Sequence, residues 1–389
     1  MRVYADNAAT TQISKKALDS MMPYLTEQYW NPSAVYSGGA AVKTAKEKAR
    51  ADTAKCIGAM PNELFFTSGG TESDNWAFHG AAELRRGREN CRHIITSTAE
   101  HSAVLNTAVS YEKAGYEVTY LTPDKYGRIT PQQLAAAVRP DTFFVSLMSG
   151  NNEVGTLLPV RELCRAARSV KKDILFHTDA VQSAGHIPID VRSLGVDFLS
   201  LSSHKFRGPK GTGALFVRLG LVLPPLLFGG GQEKGRRSGT ENTAGVIGMA
   251  AALKDACENM QANTVYITRL RDMLTEGILE SIPGAQLTGD PKERLPGSAS
   301  FVFEGIADQP IIAKLDEDFG IWASQGSACS AGSGDPSRVL LAMGYDDSLA
   351  RGSLRLTLGE QNTEDEINYI LNSLPQTVEM LRKRKRQIP

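Results

Sequence analysis

Cysteine is sparse in these 389 residues: Cys56, Cys91, Cys164, Cys257 and Cys329 are odd in number, widely separated and without a CxxC pair. That pattern argues against a disulfide framework. With no histidine set at ligand spacing beside them, no metal site is expected. An excess of either charge is also missing, since 43 Lys+Arg balance 43 Asp+Glu. Neither nucleic acid nor an anionic membrane is therefore expected as the main partner, and the target is expected to be small. No apolar run approaches the length of a membrane span, and residues 1–7 are polar and strand-like rather than basic and then apolar, so a cytoplasmic chain is expected. Internal repeats and low-complexity linkers are lacking as well.

The length exceeds what one hydrophobic core usually fills, so a large domain at 16–258 and a smaller one at 259–389, joined by segment 1–15, are expected. Short β-rich runs at 63–67, 93–97, 143–148, 174–178 and 197–202 alternate with helical patterns at 73–84, 102–114, 131–138 and 160–170. Strict alternation implies crossover units, hence an α/β fold with a mostly parallel sheet and helices on both faces. Such sheets place ligands beyond the C-terminal ends of their strands. Ser14 is placed to cap a helix reaching Tyr24, an alanine-rich helix follows at 39–57, and a further helix from Gly245 leads into the second domain. Thr363 and Glu366 form a capping box ahead of Ile367, Ile370, Leu371 and Leu374 on one helical face.

Chemistry gathers at the predicted strand ends. Phe66-Thr67-Ser68-Gly69-Gly70-Thr71-Glu72-Ser73 runs from strand through a small-residue turn into a helix, which suits a phosphate. Alone it reads first as a tight turn with Thr71 as N-cap, and it carries neither a Walker lysine nor GxGxxG. His177-Thr178-Asp179 puts a carboxylate at the end of a buried strand, where its partner is a helix N-terminus, an arginine or a pyridinium nitrogen. The strand at 197–202 delivers Ser202, His204 and Lys205 into a glycine-rich turn, where an amine can be desolvated and made nucleophilic. Lys210, among glycines, competes for that role with less cover. His101 opens a helix after the strand at 93–97 and either caps it or lies on an aromatic ligand; Asn151-Asn152-Glu153 offers amides or is a plain polar turn. Single strand-end residues of these kinds are usually structural; their coincidence supplies the parts of a pyridoxal phosphate site on Lys205.

Cys329 stands in Ser327-Ala328-Cys329-Ser330-Ala331-Gly332, a small-residue loop without apolar cover, and is read as a nucleophile. Cys56, Cys164 and Cys257 fall in helical patterns and read as packing residues.

Taken in order, Tyr4-Ala5-Asp6-Asn7-Ala8-Ala9-Thr10-Thr11, the turn through Asn75, Glu100-His101, Asn151-Asn152-Glu153, Asp179 to Gln182, His204-Lys205, Gly229 through Asn242, the Cys329 loop and Arg355-Leu356-Thr357-Leu358-Gly359 resemble the cysteine desulfurases of the class V aminotransferase group. The likeness spans nearly the whole chain and favours the branch with the longer catalytic-cysteine loop. It implies a mostly parallel, seven-stranded-type sheet in a large pyridoxal-phosphate-binding domain plus a smaller α+β domain. It further implies that Lys205 carries the cofactor and moves the Cα proton, that Asp179 pairs with the pyridine nitrogen, and that His101 stacks on the ring. Gly70, Thr71, Ser202 and His204 are implied to hold the phosphate, with Thr240 reaching in from the second subunit of a homodimer. Asn152 and Gln182 are implied near the ring hydroxyl, Arg355 and Asn152 at the substrate carboxylate, and Cys329 as acceptor of sulfur from L-cysteine. The persulfide is then implied to pass to a sulfur-acceptor protein, an iron–sulfur scaffold or a tRNA-thiolation relay. Tyr36, Ala34, Gln325 and the stretch 330–334 depart from the usual family pattern and leave the acceptor open. Two alternatives share parts of this set: a selenocysteine lyase or other class V lyase or aminotransferase, which needs Lys205 and Asp179 but not Cys329, and an inactive partner-binding subunit.

Overall fold

The computed structural model describes residues 1–87, 91–307, 310–326 and 335–387, with side chains to 383. Its strands in chain order are β1 (Val3–Tyr4), β2 (Leu64–Thr67), β3 (His93–Ser97), β4 (Glu117–Leu121), β5 (Thr142–Ser146), β6 (Leu175–Asp179), β7 (Phe198–Ser202), β8 (Gly213–Val217), β9 (Ala285–Leu287), β10 (Ser298–Phe303), β11 (Ile321–Trp322) and β12 (Ser353–Thr357). The seven-stranded sheet has the order β2-β8-β7-β6-β5-β3-β4. Pairing is parallel from β4 to β7, whereas β8 runs antiparallel to both β2 and β7. The sheet is therefore mixed, with one strand reversed inside a parallel set. Strands β2, β3, β5, β6, β7 and β8 are buried throughout, as strands covered on both faces must be, while the edge strand β4 is exposed at Glu117.

The first four helices are α1 (Lys15–Thr26), α2 (Ser37–Cys56), α3 (Gly70–Leu84) and α4 (Ser102–Lys113). Ser14 caps α1 by accepting from the Ala17 amide at 3.1 Å. The capping box ahead of the last helix, Glu364–Gln387, also forms: Thr363 Oγ1 accepts from the Glu366 amide at 3.3 Å, and Glu366 Oε2 from the Thr363 amide at 3.0 Å. One face of the large sheet packs Phe65, Trp76, Phe78, Phe143, Phe144 and Phe198; the other packs Leu64, Phe66, Phe176, Leu199 and Phe216.

A second core lies around the three-stranded antiparallel sheet β12-β10-β9. It combines Val3 and Ala5 from the N-terminus with Ile267, Leu270 and Leu274 of the helix Met260–Ser281, Phe301, Phe303, Leu354 and Ile370. The parallel pair β1–β11 brings the N-terminal segment into this core. From there the segment continues through Asn7 to Thr11 toward the large sheet, so one stretch of chain touches both cores.

Among the described residues no helix is long and apolar enough to cross a membrane.

Candidate active site

Strands β2, β3, β5, β6 and β7 point their C-terminal ends to one edge of the sheet, where Gly213 at the start of β8 pairs with both Thr67 and Ser202. A Cβ on Gly213 would sit 2.6 Å from the Gly69 Cα and 2.6 Å from the Leu201 carbonyl oxygen, so only glycine permits this approach. Gly69 itself takes φ +155° and occupies the N-cap of α3. The turn thus belongs to Gly69, and Thr71, a candidate N-cap from the sequence, lies in the first turn of the helix.

At this edge a cleft of about 470 Å³ is lined by Gly70, Thr71, Asp74, His101, Asn152, Asp179, Gln182, Ser202, His204 and Lys205, with Met148, Gly150 and Val181 between them. Nine of the sequence-derived candidates, Gly70, Thr71, His101, Asn152, Asp179, Gln182, Ser202, His204 and Lys205, thereby share one cavity.

Lys205 ends a short 3₁₀ turn, Ser203–Lys205, that follows β7 directly. Its amine donates to the Ala8 carbonyl at 2.5 Å and the Ala9 carbonyl at 2.9 Å. The N-terminal segment therefore holds the amine at the cleft wall. The same segment holds the backbone beneath it: the Thr11 hydroxyl donates to the His204 carbonyl at 2.8 Å and accepts from the Arg207 amide at 2.9 Å. His204 Nδ1 meets Thr10 Oγ1 at 3.0 Å, and Gln182 Nε2 donates to the Ala8 carbonyl at 3.0 Å. Burial, with Lys205 and Lys210 adding, pushes the His204 imidazole down to about 4. His204 is therefore neutral near pH 7.

Asp179 ends β6, and its Oδ1 accepts from the Val181 amide at 2.8 Å. Burial pushes its carboxyl up, while the Val181 amide bond and the Lys205 charge hold it back. His101 is the N-cap of α4: its Nδ1 accepts from the Ala103 amide at 3.1 Å. An accepting Nδ1 leaves the ring proton on Nε2, and burial holds the ring neutral, with Lys205 adding to the shift. Capping and ligand contact, weighed as alternatives from the sequence, are compatible here because they use different atoms of the ring.

Arg355 and Thr240 sit outside that lining. Arg355, on β12, donates from Nη1 to the Asn152 carbonyl at 2.7 Å and from Nη2 to Asp6 Oδ1 at 2.9 Å, while its Nε is buried with no hydrogen-bond partner among the described residues. It adjoins the cleft through Asn152. Thr240 lines a separate cleft of about 650 Å³ beside Thr67 and Ser68, with Lys46, Glu233 and Arg237. Cys329 lies outside the described residues. The chain on either side of its loop is held near the site: Ser324 and Arg355 exchange backbone hydrogen bonds, Ser337 donates to Glu153 Oε2 at 2.5 Å, and Arg338 reaches Ser102 Oγ at 3.1 Å.

Sequence reading assigned no part to Asp6, Ala8 or Ala9, whose roles run through backbone carbonyls or a neighbour's guanidinium. Asp74 and the buried Glu100 were likewise passed over as candidates. The available signal was positional. Asp74 lies one turn into α3, and Glu100 follows a buried strand end, so both acids are carried to the ligand edge.

The chain belongs to the aminotransferase class-V family, whose model matches residues 3–370. Within it the similarity is to cysteine desulfurases. Cysteine desulfurase IscS of Methanosarcina thermophila is 46% identical over 380 residues, covering 98% of this chain and 93% of that protein. Cysteine desulfurase IscS of Clostridium botulinum is 44% identical over 384 residues, covering 98% and 96%. Among solved structures, a NifS-like protein superposes with a TM-score of 0.91 at 38% identity, covering 98% of this chain and all of the other. SspA in complex with cysteine gives 0.81 at 37% identity, covering 93% and 100%.

Proposed function

We propose that this protein is a pyridoxal-phosphate-dependent cysteine desulfurase that converts L-cysteine to L-alanine and leaves the sulfur as a persulfide on Cys329. The observation that supports this most is one cleft lined by a helix N-terminus, a buried carboxylate, a neutral imidazole and a lysine amine. These groups fit the cofactor part by part. The start of α3 with Ser202 and His204 suits a phosphate dianion. Asp179 suits a protonated ring nitrogen, His101 a ring face, Asn152 and Gln182 the ring hydroxyl, and Lys205 the aldehyde carbon.

Pyridoxal phosphate, when bound, supplies an electron sink for bond cleavage at the substrate. The chain's residues supply the rest. Lys205 takes the proton from the substrate Cα, its amine oriented by the carbonyls of Ala8 and Ala9. Asn152 and Arg355, with its fork of donors, receive the substrate carboxylate. That role requires Arg355 to share the guanidinium now held by Asn152 and Asp6. The Cys329 thiolate attacks the substrate sulfur: an S–S bond forms, the C–S bond breaks, and its electron pair leaves with carbon, which takes up a proton to give alanine. A second thiol, on an acceptor protein, suffices to take the sulfur onward. The acceptor is a protein of iron–sulfur assembly or tRNA thiolation, and the working unit is a homodimer in which Thr240 completes the second subunit's phosphate site.

The test is the visible spectrum of the purified protein together with alanine and persulfide assays on the native chain, Lys205→Ala and Cys329→Ala. The native chain is expected to be coloured and to form one alanine per sulfur released. Lys205→Ala should lose the borohydride-reducible link. Cys329→Ala should keep the colour and lose persulfide formation; full sulfide release by that variant would overturn the desulfurase reading in favour of a lyase that does not use this cysteine.

A further inference from the structure

Asp74, absent from the roles above, projects from the second turn of α3 into the cleft wall with only 1% of its surface exposed. Among the described residues its Oδ1 is buried without a hydrogen-bond partner. The sheet face beneath α3 presents a row of polar side chains fixed by strand register, because Ser146 pairs with His177 and Asp179 with Ser200. His177 is the centre of this row: Nδ1 meets Ser146 Oγ at 2.8 Å, and Nε2 meets Ser200 Oγ at 2.9 Å. Asp74 Oδ1 stands 3.5 Å from the same Nε2, and the Ser200 hydroxyl also acts on its carboxyl. The imidazole has no exposure and lies parallel to Phe144.

We propose that Asp74 is a positioning residue: a proton-bearing carboxyl at the end of the chain Asp74–Ser200–His177–Ser146, set beside Asp179 so that the two acids together carry one negative charge at the ring-nitrogen end of the cleft. The assignment of that end of the cleft rests on the cofactor reading given under Proposed function. Every charged or titratable group facing Asp74 bears on the count. From β6 these are His177 and Asp179, from the loop after β3 Glu100 and His101, and from the turn after β7 Lys205. Two carboxylates side by side in a cavity shielded from water do not both ionise readily. Asp179 is the one with help, since the Lys205 charge favours its ionised form and the Val181 amide donates to it. Asp74 has less: burial, then the Asp179 charge, then Glu100 all raise it, against the Ser200 hydroxyl alone. His177 is held neutral, its imidazole pushed down to about 3 by burial, so it cannot supply a counter-charge. A single negative charge matches a single protonated ring nitrogen, whereas a second would stand unpaired.

The chain can run in either direction, and its direction reports the proton. If Asp74 is protonated, it donates toward Ser200 and Nε2, Nε2 is an acceptor, and the ring proton of His177 lies on Nδ1 toward Ser146. If Asp74 is ionised, Nε2 carries the proton toward Ser200 and the carboxylate. The tautomer is readable by magic-angle-spinning NMR of protein labelled with ¹⁵N-histidine, with His177 assigned by the signal lost in His177→Gln. The Nδ1–H tautomer is expected at pH 7 in cofactor-free and cofactor-loaded protein alike; the Nε2–H tautomer in both would overturn the proposal. A second measurement uses the pH midpoint of the visible band of the lysine-bound cofactor. Asp74→Asn, which keeps the charge count, is expected to move it by no more than about 0.3 unit, while Asp179→Asn, which removes a negative charge, lowers it by about one unit or more. An equal drop in Asp74→Asn sinks the idea. Should the chain take up no pyridoxal phosphate at all, the cofactor reading fails, and the tautomer in the cofactor-free protein still decides whether Asp74 holds a proton.

Discussion

At the scale of single residues, the site shows how one side chain does two jobs with separate atoms. His101 spends Nδ1 on the cap of α4 and keeps its ring face and Nε2 for the cleft. His101→Asn separates the jobs, since asparagine is among the best N-caps but has no ring. Thermal unfolding of the variant is expected to stay close to the native chain. Turnover is expected to fall by roughly 10²-fold or more if the ring moves a proton or holds the cofactor plane. The pH dependence follows the same residue. The folded protein holds the His101 pKa below its ordinary value, first by burial, so the ring stays neutral as pH falls through the usual histidine midpoint. Activity in the native chain should therefore persist below about pH 6.5, with any acid limb due to His101 displaced to lower pH and absent from His101→Asn. A turnover–pH profile of the two proteins checks both points.

Elements explain how Lys205 is tied to the first residues of the chain. The N-terminal segment enters one core through β1, then latches the turn after β7 through Thr11. Thr11→Val keeps the shape and removes both hydroxyl bonds, leaving the Arg207 amide short of its partner and the His204 carbonyl with the Thr11 amide alone. A loss of about 1–3 kcal/mol in urea unfolding is expected, together with faster loss of bound cofactor on dialysis. Unchanged stability and retention would show that the latch does not hold Lys205. The alternating apolar runs made the large sheet readable: the strands at 93–97, 143–148, 174–178 and 197–202 all have counterparts, as do the caps at Ser14 and Thr363. Strand β4 was missed because Glu117 and partly exposed neighbours give an edge strand no clean apolar signature. The strands of the sheet β12-β10-β9 went unplaced within the expected α+β domain for another reason: β9 is only three residues long, and β10 pairs with β12 far along the chain, which no local period records. The reversal of β8 was equally illegible, since burial on both faces looks the same in either direction. Site residues at strand ends could be found from chemistry plus position, whereas partners acting through backbone carbonyls, Ala8 and Ala9 above all, leave no trace in residue type.

For the whole molecule, the position of Thr240 is the informative fact. It lines a cleft apart from the one holding Lys205, so within one chain it has no place in that site. The same loop region exposes Leu227 and Phe228, and Tyr29, Val35 and Tyr36 stand exposed elsewhere. If Thr240 serves the other subunit, lesions in different chains must complement. Lys205→Ala and Thr240→Ala chains, each poorly active alone, would assort into mixed dimers in which one site carries both lesions and the other carries neither. Half of randomly assorted dimers are mixed, so roughly a quarter of all sites should regain native turnover, a recovery that appears only after subunit exchange. Activity that merely averages the two parents after unfolding and refolding together would place Thr240 in service of its own chain or of none. Size-exclusion chromatography with light scattering on the same samples fixes whether dimers formed, which keeps a failure to assemble distinct from a failure to complement.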